Sequence, residues 1–213
     1  PIGSRRLIVG IDYFETFNRD NVTLVDAQSS PIDEITATGI RAGGDEIELD
    51  VLVYATGFDG VSGPLLAMDI QGVDGLPLRN KWATRPTAFL GLVASGFPNL
   101  FMITGPGSPS VFSNVIFAIE QHVDWIKDCL AYMTEHGFNN IDANPEAEDD
   151  WTQQVDKAAE NLIVGSTKSW WTGENIPGKP AGLAFFLGGL QNYRAKCDEV
   201  ANSGYEGFVL QSR

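Results

Sequence analysis

Two adjacent arginines, Arg5-Arg6, put a pair of permanent positive charges side by side near the start of the chain. Each guanidinium is a planar fork of donors, able to hold a phosphate or a developing oxyanion. On sequence alone the default reading is two solvated side chains near a terminus. A second place is Gly105-Pro106-Gly107-Ser108-Pro109-Ser110, which precedes a strongly periodic segment. A Gly-Pro-rich turn that opens a helix brings free backbone N–H groups and the positive end of a helix dipole to one point, which suits an anionic ligand. It could also be a plain connection. The third is Trp170-Trp171, flanked by Gly173, Pro177 and Gly178. Tryptophan offers a broad apolar face and one N–H donor, as useful over a cofactor as in a core.

Other chemistries find no support. Asp59 has no second carboxylate or histidine at useful spacing and reads as a turn or cap residue. There is no Gly-x-Ser-x-Gly, which argues against a hydrolase elbow. His122 and His136 complete no H-E-x-x-H or Cys/His cluster, so no metal site is expected. Nor does G-x-G-x-x-G follow any strand: Gly57, Gly60 and Gly63 recur every third residue and do not fit the loop that cradles a pyrophosphate.

The elements that must position these residues follow from patterning. Val51–Ala55 is a continuous apolar run and reads as a buried parallel strand, breaking at Thr56-Gly57, where small residues allow close backbone approach. Residues 1–48 read as β-rich, with a short strand at Thr23–Val25. Strands at Ile35–Thr38 and Glu46–Leu49 should flank a hairpin turn at Gly43-Gly44. Residues 58–88 are rich in Gly and Pro, an ordered excursion with little regular structure. Phe89–Val93 and Leu100–Thr104 read as strands joined by a turn at 96–99. Val115, Ile116, Ile119, Val123, Ile126, Leu130 and Met133 then mark one face of a helix that Gly137 ends. A second helix should start at Asn144-Pro145 and reach about Leu162, and a third should span roughly 188–202.

Composition is that of a globular protein, with 43% hydrophobic and 20% charged residues. A net charge of −14 argues against nucleic acid, whose phosphates call for clustered Lys and Arg. Glu146, Glu148, Asp149 and Asp150 read as a solvated helix face. Two separated cysteines, Cys129 and Cys197, fit a reduced, cytoplasmic setting better than a disulfide scaffold, and no apolar run is long enough for a membrane span.

Four segments carry a resemblance. They are Ala55-Thr56-Gly57-Phe58-Asp59 after its apolar run, Tyr13–Val22 (with Phe17-Asn18-Arg19-Asp20-Asn21), Trp170–Lys179 and Tyr205-Glu206-Gly207-Phe208. Together they resemble the C-terminal part of a Baeyer–Villiger monooxygenase of the phenylacetone and cyclohexanone branch, over Gly3 to about Leu210. The resemblance implies an α/β fold, the C-terminal part of a flavoprotein with two dinucleotide-binding domains. Residues 1–49 would end the NADPH-binding domain and residues 50–213 would belong to the FAD-binding domain.

The same resemblance implies FAD and NADPH as cofactors, a small ketone and O₂ as substrates, and insertion of one oxygen beside the carbonyl to give an ester or lactone. Arg6 would sit over the flavin and stabilise negative charge that builds up during oxygenation, while Arg5 would hold the NADP 2′-phosphate. Ala55, Thr56 and Gly57, and the backbone near Asn114-Val115, would contact cofactor. Ser110, Val111 and Phe112 would line the substrate pocket, and Trp170 would ride on a mobile loop that closes over NADP, with Trp171 packing behind it. Family members carry two glycine-rich loops in an N-terminal portion that has no counterpart in this chain, which opens at Pro1-Ile2-Gly3 without Met. The chain is therefore expected to be a C-terminal fragment, to need the missing N-terminal portion as its partner, and to be inactive alone. An N- or S-oxygenating relative and a non-catalytic α/β binding module are the alternatives.

Overall fold

The computed structural model describes residues 9–109, 113–166, 169–179 and 181–212. It divides into two compact units, one within Arg6–Gly57 and the other within Phe58–Arg213. Asp50–Gly57 thus goes with the first unit.

The first unit begins with a single helical turn, α1 (Tyr13–Thr16), closed by Thr16 Oγ1 donating to Asp12 O at 2.8 Å. Three short strands, β1 (Ile32–Ile35), β2 (Gly39–Ala42) and β3 (Asp45–Glu48), form an antiparallel meander in the order β1-β2-β3. Gly43-Gly44 makes the β2–β3 turn with φ of 59° and 91°, left-handed values that glycine adopts without steric cost. The hairpin turn is thus as expected. The strand before it is 39–42 rather than 35–38, because the chain turns once more, with Thr36 N donating to Gly39 O.

Two other expected strands do not form in this unit. Thr23–Val25 is irregular. Val51–Ala55 pairs with no described strand and is exposed, with Val51 at 75% and Val53 at 77%. A central parallel strand exists only through the ladders on either side of it, and the described residues supply neither.

The second unit is built on helices. Short turns α2 (Gly63–Leu66) and α3 (Leu78–Lys81) lie in the Gly/Pro-rich segment and frame a small core of Leu78, Trp82, Ala88, Ala94, Phe97 and Met102. The long helix α4 (Val115–Glu135) follows, capped by Asn114 Oδ1, which accepts from Ile116 N. Strand β4 (Asn140–Ala143) leads into α5 (Pro145–Lys157), where Asn144 Oδ1 accepts from Glu146 N and Ala147 N and Pro145 takes the first helical position. The helix stops at Lys157, short of the expected 162, and the chain continues through a 3-10 turn at Ile163–Ser166. Helix α6 (Leu190–Asn202) and strand β5 (Phe208–Gln211) complete the unit, β5 pairing antiparallel with β4.

The segments 89–93 and 100–104 are not strands. Isolated bridges link Phe89 to Val93 and Val93 to Phe101, and Leu90 and Gly91 carry φ of 54° and 70°, so the chain folds back on itself instead of extending. Phe89, Leu90, Leu92 and Val93 are nevertheless buried, packing with α4, α5 and α6 in one core, while Met102 joins the small core and Ile103 is exposed. The buried face of α4 is Ala118, His122, Trp125, Cys129 and Met133. Of the expected apolar face Met133 lies in it and Ile126 packs half-buried against the same core. Ile116, Val123 and Leu130, seven residues apart, form a second, exposed apolar stripe.

Candidate functional site

The core of the second unit holds one buried polar relay. Thr104 N donates to His122 Nδ1 at 3.0 Å, and His122 Nε2 lies 2.8 Å from Tyr193 Oη, which in turn donates to Leu90 O at 2.6 Å. Because Nδ1 accepts, the ring proton sits on Nε2 and is given to Tyr193. Both side chains are fully buried, and burial pushes the His122 pKa from 6.5 down to about 4. The relay therefore holds a neutral imidazole. It also pins two residues in left-handed conformations, Leu90 (φ 54°) and Thr104 (φ 57°), of which Thr104 starts the turn leading towards α4.

A second buried group, Glu148 on α5, accepts from Thr87 Oγ1 at 2.6 Å and Ser95 N at 2.5 Å and pairs with Lys81 at 2.9 Å. The solvated face expected at 146–150 thus turns one of its four acids inward. Arg85 makes a bidentate pair with Asp156, both distances 2.7 Å.

Of the residues singled out in the sequence, Arg5, Arg6, Ser110, Val111 and Phe112 lie outside the described residues. Ala55, Thr56 and Gly57 are exposed and lie in no regular element, and Gly57 takes φ 86° with open space where a Cβ would stand. Asn114 and Val115 are the cap and first residue of α4. The turn before them is tightly packed: a Cβ on Gly105 would meet Gly91 O at 2.5 Å, and one on Gly107 would meet Trp151 Nε1 at 2.8 Å.

Trp170 is half-buried and stacks on Trp171 at 4.1 Å, while Trp171 is buried, as the packing role expected of it requires. Ser108 Oγ in the turn and Ser169 Oγ beside Trp170 are both buried without a hydrogen-bond partner among the described residues. Each is a donor available to a ligand oxygen at a place the sequence marks, so both places fit a polar cofactor. Asp59 caps no helix. It pairs with Lys179, a residue that sequence reasoning passed over although it closes the Trp170–Lys179 motif. Among the described residues no three His, Cys, Asp or Glu side chains gather as for a metal ion. The cysteines are free, with burial raising Cys129 to about 12 and Cys197 to about 11. No described helix is long and apolar enough to cross a membrane.

No protein-family model matches the chain. It is 42% identical over 209 residues to the cyclohexanone 1,2-monooxygenase of an Acinetobacter species, covering 98% of this chain and 38% of that protein. It is 39% identical over 207 residues to a Baeyer–Villiger monooxygenase of Pseudooceanicola batsensis, with 97% and 38% covered. The chain is homologous to the Baeyer–Villiger monooxygenases. A phenazine N-monooxygenase of Lysobacter antibioticus is also similar, 41% identical over 210 residues, with 98% of this chain and 38% of that protein covered.

The fold agrees with this relationship. A closed crystal structure of cyclohexanone monooxygenase superposes with a TM-score of 0.94 at 42% identity, covering 98% of this chain and 39% of that one. A crystal structure of OTEMO in complex with FAD and NADP gives 0.91 at 37% identity, with 98% and 38% covered. The mixed helix-and-sheet α/β class expected from the sequence agrees with these neighbours. The chain spans about 38% of the length of these monooxygenases.

Proposed function

We propose that this chain is the C-terminal portion of an FAD- and NADPH-dependent monooxygenase. The reaction converts a ketone, O₂, NADPH and a proton into an ester or lactone, NADP⁺ and water. The observation that carries this reading is the 42% identity to a cyclohexanone monooxygenase, maintained over 98% of the chain. In this reading residues 1–49 end the NADPH-binding domain and residues 50–213 belong to the FAD-binding domain. The protein works in the cytoplasm, where two buried free thiols suit a reducing compartment.

FAD supplies the redox chemistry with O₂ when bound, and NADPH supplies the electrons. The chain's own residues bind and orient. Arg6 would offer a fixed positive charge to the anionic stage of oxygenation, and Arg5 a bidentate grip on a 2′-phosphate. The N-terminal end of α4, with Asn114 and Val115, would present its dipole to the electron-rich edge of the flavin. Ala55, Thr56 and Gly57 would allow close backbone approach to cofactor. Ser110, Val111 and Phe112 would shape the ketone pocket, and Trp170 with Ser169 would cover NADP and exclude water.

Oxygenation of nitrogen is the second reading, favoured by the 41% identity to a phenazine N-monooxygenase. The test is to assay the full-length polypeptide carrying this chain for NADPH oxidation with a panel of cyclic and linear ketones and with phenazines, following ester and N-oxide by chromatography. Ester formation supports the first reading, N-oxide without ester supports the second, and neither product removes both.

A further inference from the structure

The loop Ser169–Lys179 is a string of tight turns whose two ends are held differently. Near its start Trp171 is buried, and the backbone is tied down where Gly182 N donates to Thr172 O at 3.0 Å and Ala184 N to Trp171 O at 3.2 Å. Its far end is held, among the described residues, by the Lys179 side chain. Lys179 Nζ forms an ion pair with Asp59, 120 residues away, and donates to Gly60 O at 3.0 Å. The Lys179 side chain is only 11% exposed although the chain carries a net −14, so this cation has been drawn to one acid among many and shielded there.

What Lys179 grips is itself strained. Ser62 N donates to Gly60 O at 2.8 Å, two residues back, which makes 60–62 a γ-turn, and Val61 at its centre has φ 64°. A β-branched residue in that region is an outlier, and such turns persist only where their surroundings over-determine them. Gly60 O accepts from both Ser62 N and Lys179 Nζ. A Cβ on Gly60 would lie 3.7 Å from the six-membered ring of Trp170, so the gripped turn is also the surface on which that ring rests. A Cβ on Gly63 would meet the Asp59 side chain at 2.6 Å, so a glycine there keeps the acid in place.

We propose that Lys179 is the positioning residue for Trp170: by holding Asp59 and the Gly60 carbonyl together, it latches the far end of loop 169–179 and sets the tryptophan ring against the γ-turn. This deepens the reading of Trp170 as a cofactor contact and rests on it for its consequence for NADP, although the latch itself does not. Lys179→Met removes the charge and keeps the length, Lys179→Arg keeps the charge, and Asp59→Asn weakens the grip from the other side.

Hydrogen exchange followed by mass spectrometry reads the latch without any ligand, in the full-length polypeptide that carries this chain. Peptides covering 169–179 should exchange roughly tenfold faster in Lys179→Met and Asp59→Asn, with Lys179→Arg close to wild type and α4 peptides unchanged in all. Equal exchange of 169–179 in wild type and Lys179→Met overturns the proposal. NADP⁺ titration of the same proteins then reads the consequence: binding weakened about tenfold in Lys179→Met, restored in Lys179→Arg, with FAD content constant. Faster exchange with unaltered NADP⁺ affinity overturns the positioning of Trp170. A wild type that binds no NADP⁺ defeats the proposed function instead, and exchange alone then decides the latch.

Discussion

Mild acid should attack this fold first at His122. The ring is neutral in the folded protein, with its pKa pushed from 6.5 to about 4 by burial, and recovers its ordinary value on unfolding. Unfolding therefore takes up a proton between these limits. The stability involved is complete above about pH 6.5 and is lost as pH falls towards 4. At about 1.4 kcal/mol per pH unit the whole span amounts to about 3 kcal/mol, and the part lost by about pH 5 to about 2 kcal/mol. A typical domain has about 5–15 kcal/mol in total, so the loss is a large share. The local cause is visible: a proton on Nδ1 would face the Thr104 N–H that now donates to it at 3.0 Å.

His122→Gln removes the titration while keeping a polar group. Asp142, whose carboxyl burial pushes up, acts in the opposite sense but is common to both proteins and cancels in the difference. Urea unfolding followed by tryptophan fluorescence, near pH 7.5 and near pH 5, should show the wild type losing about 2 kcal/mol more than the variant across that interval. Parallel losses, equal within about 0.5 kcal/mol, would refute the neutral, proton-accepting His122 described above.

Three further outcomes are expected. Glu148→Ala strips the acceptor from Lys81, Thr87 and Ser95 N at a buried position and should destabilise by about 3 kcal/mol in denaturant titration. In the full-length polypeptide, Trp170→Ala should weaken NADPH binding or lower product formed per NADPH consumed; unchanged affinity with unchanged coupling counts against the lid role. Arg6→Ala should keep FAD and lose about 10²–10³-fold in ester formation, with Arg6→Lys recovering only part and residual NADPH oxidation appearing as hydrogen peroxide. Near wild-type ketone turnover in Arg6→Ala removes Arg6 from the mechanism.

Local signals were legible where local physics decides. Asn144-Pro145 starts α5, Gly43-Gly44 turns the hairpin, and the 115–135 helix has its expected ends, because caps and positive-φ glycines act within a few residues. Features that depend on partners were misread. Val51–Ala55 has the composition of a buried strand, but burial and pairing belong to neighbours the described residues do not provide. Helix α4 is apolar on two sides, so periodicity selected the exposed stripe along with Met133 and missed the side holding His122 and Cys129. At the site, the motifs drew attention to Trp170 and Asn114. Lys179 was overlooked because its significance lies in a contact with Asp59 that sequence distance hides.

The pairing of β5 with β4 has a consequence for synthesis on the ribosome. Ile141 waits for Leu210, His122 waits for Tyr193, and Trp125 donates to Cys197 O, so these three contacts of the second unit each span about seventy residues. Helices α4 and α5 emerge well before the residues that cover them, and loop closure over that distance must precede any gain from burial. The unit therefore folds as a whole once Phe208–Gln211 has cleared the exit tunnel. Until then Trp125 lacks the cover of Tyr205 and Trp151 that of Tyr193, and the nascent chain should engage chaperones during that interval.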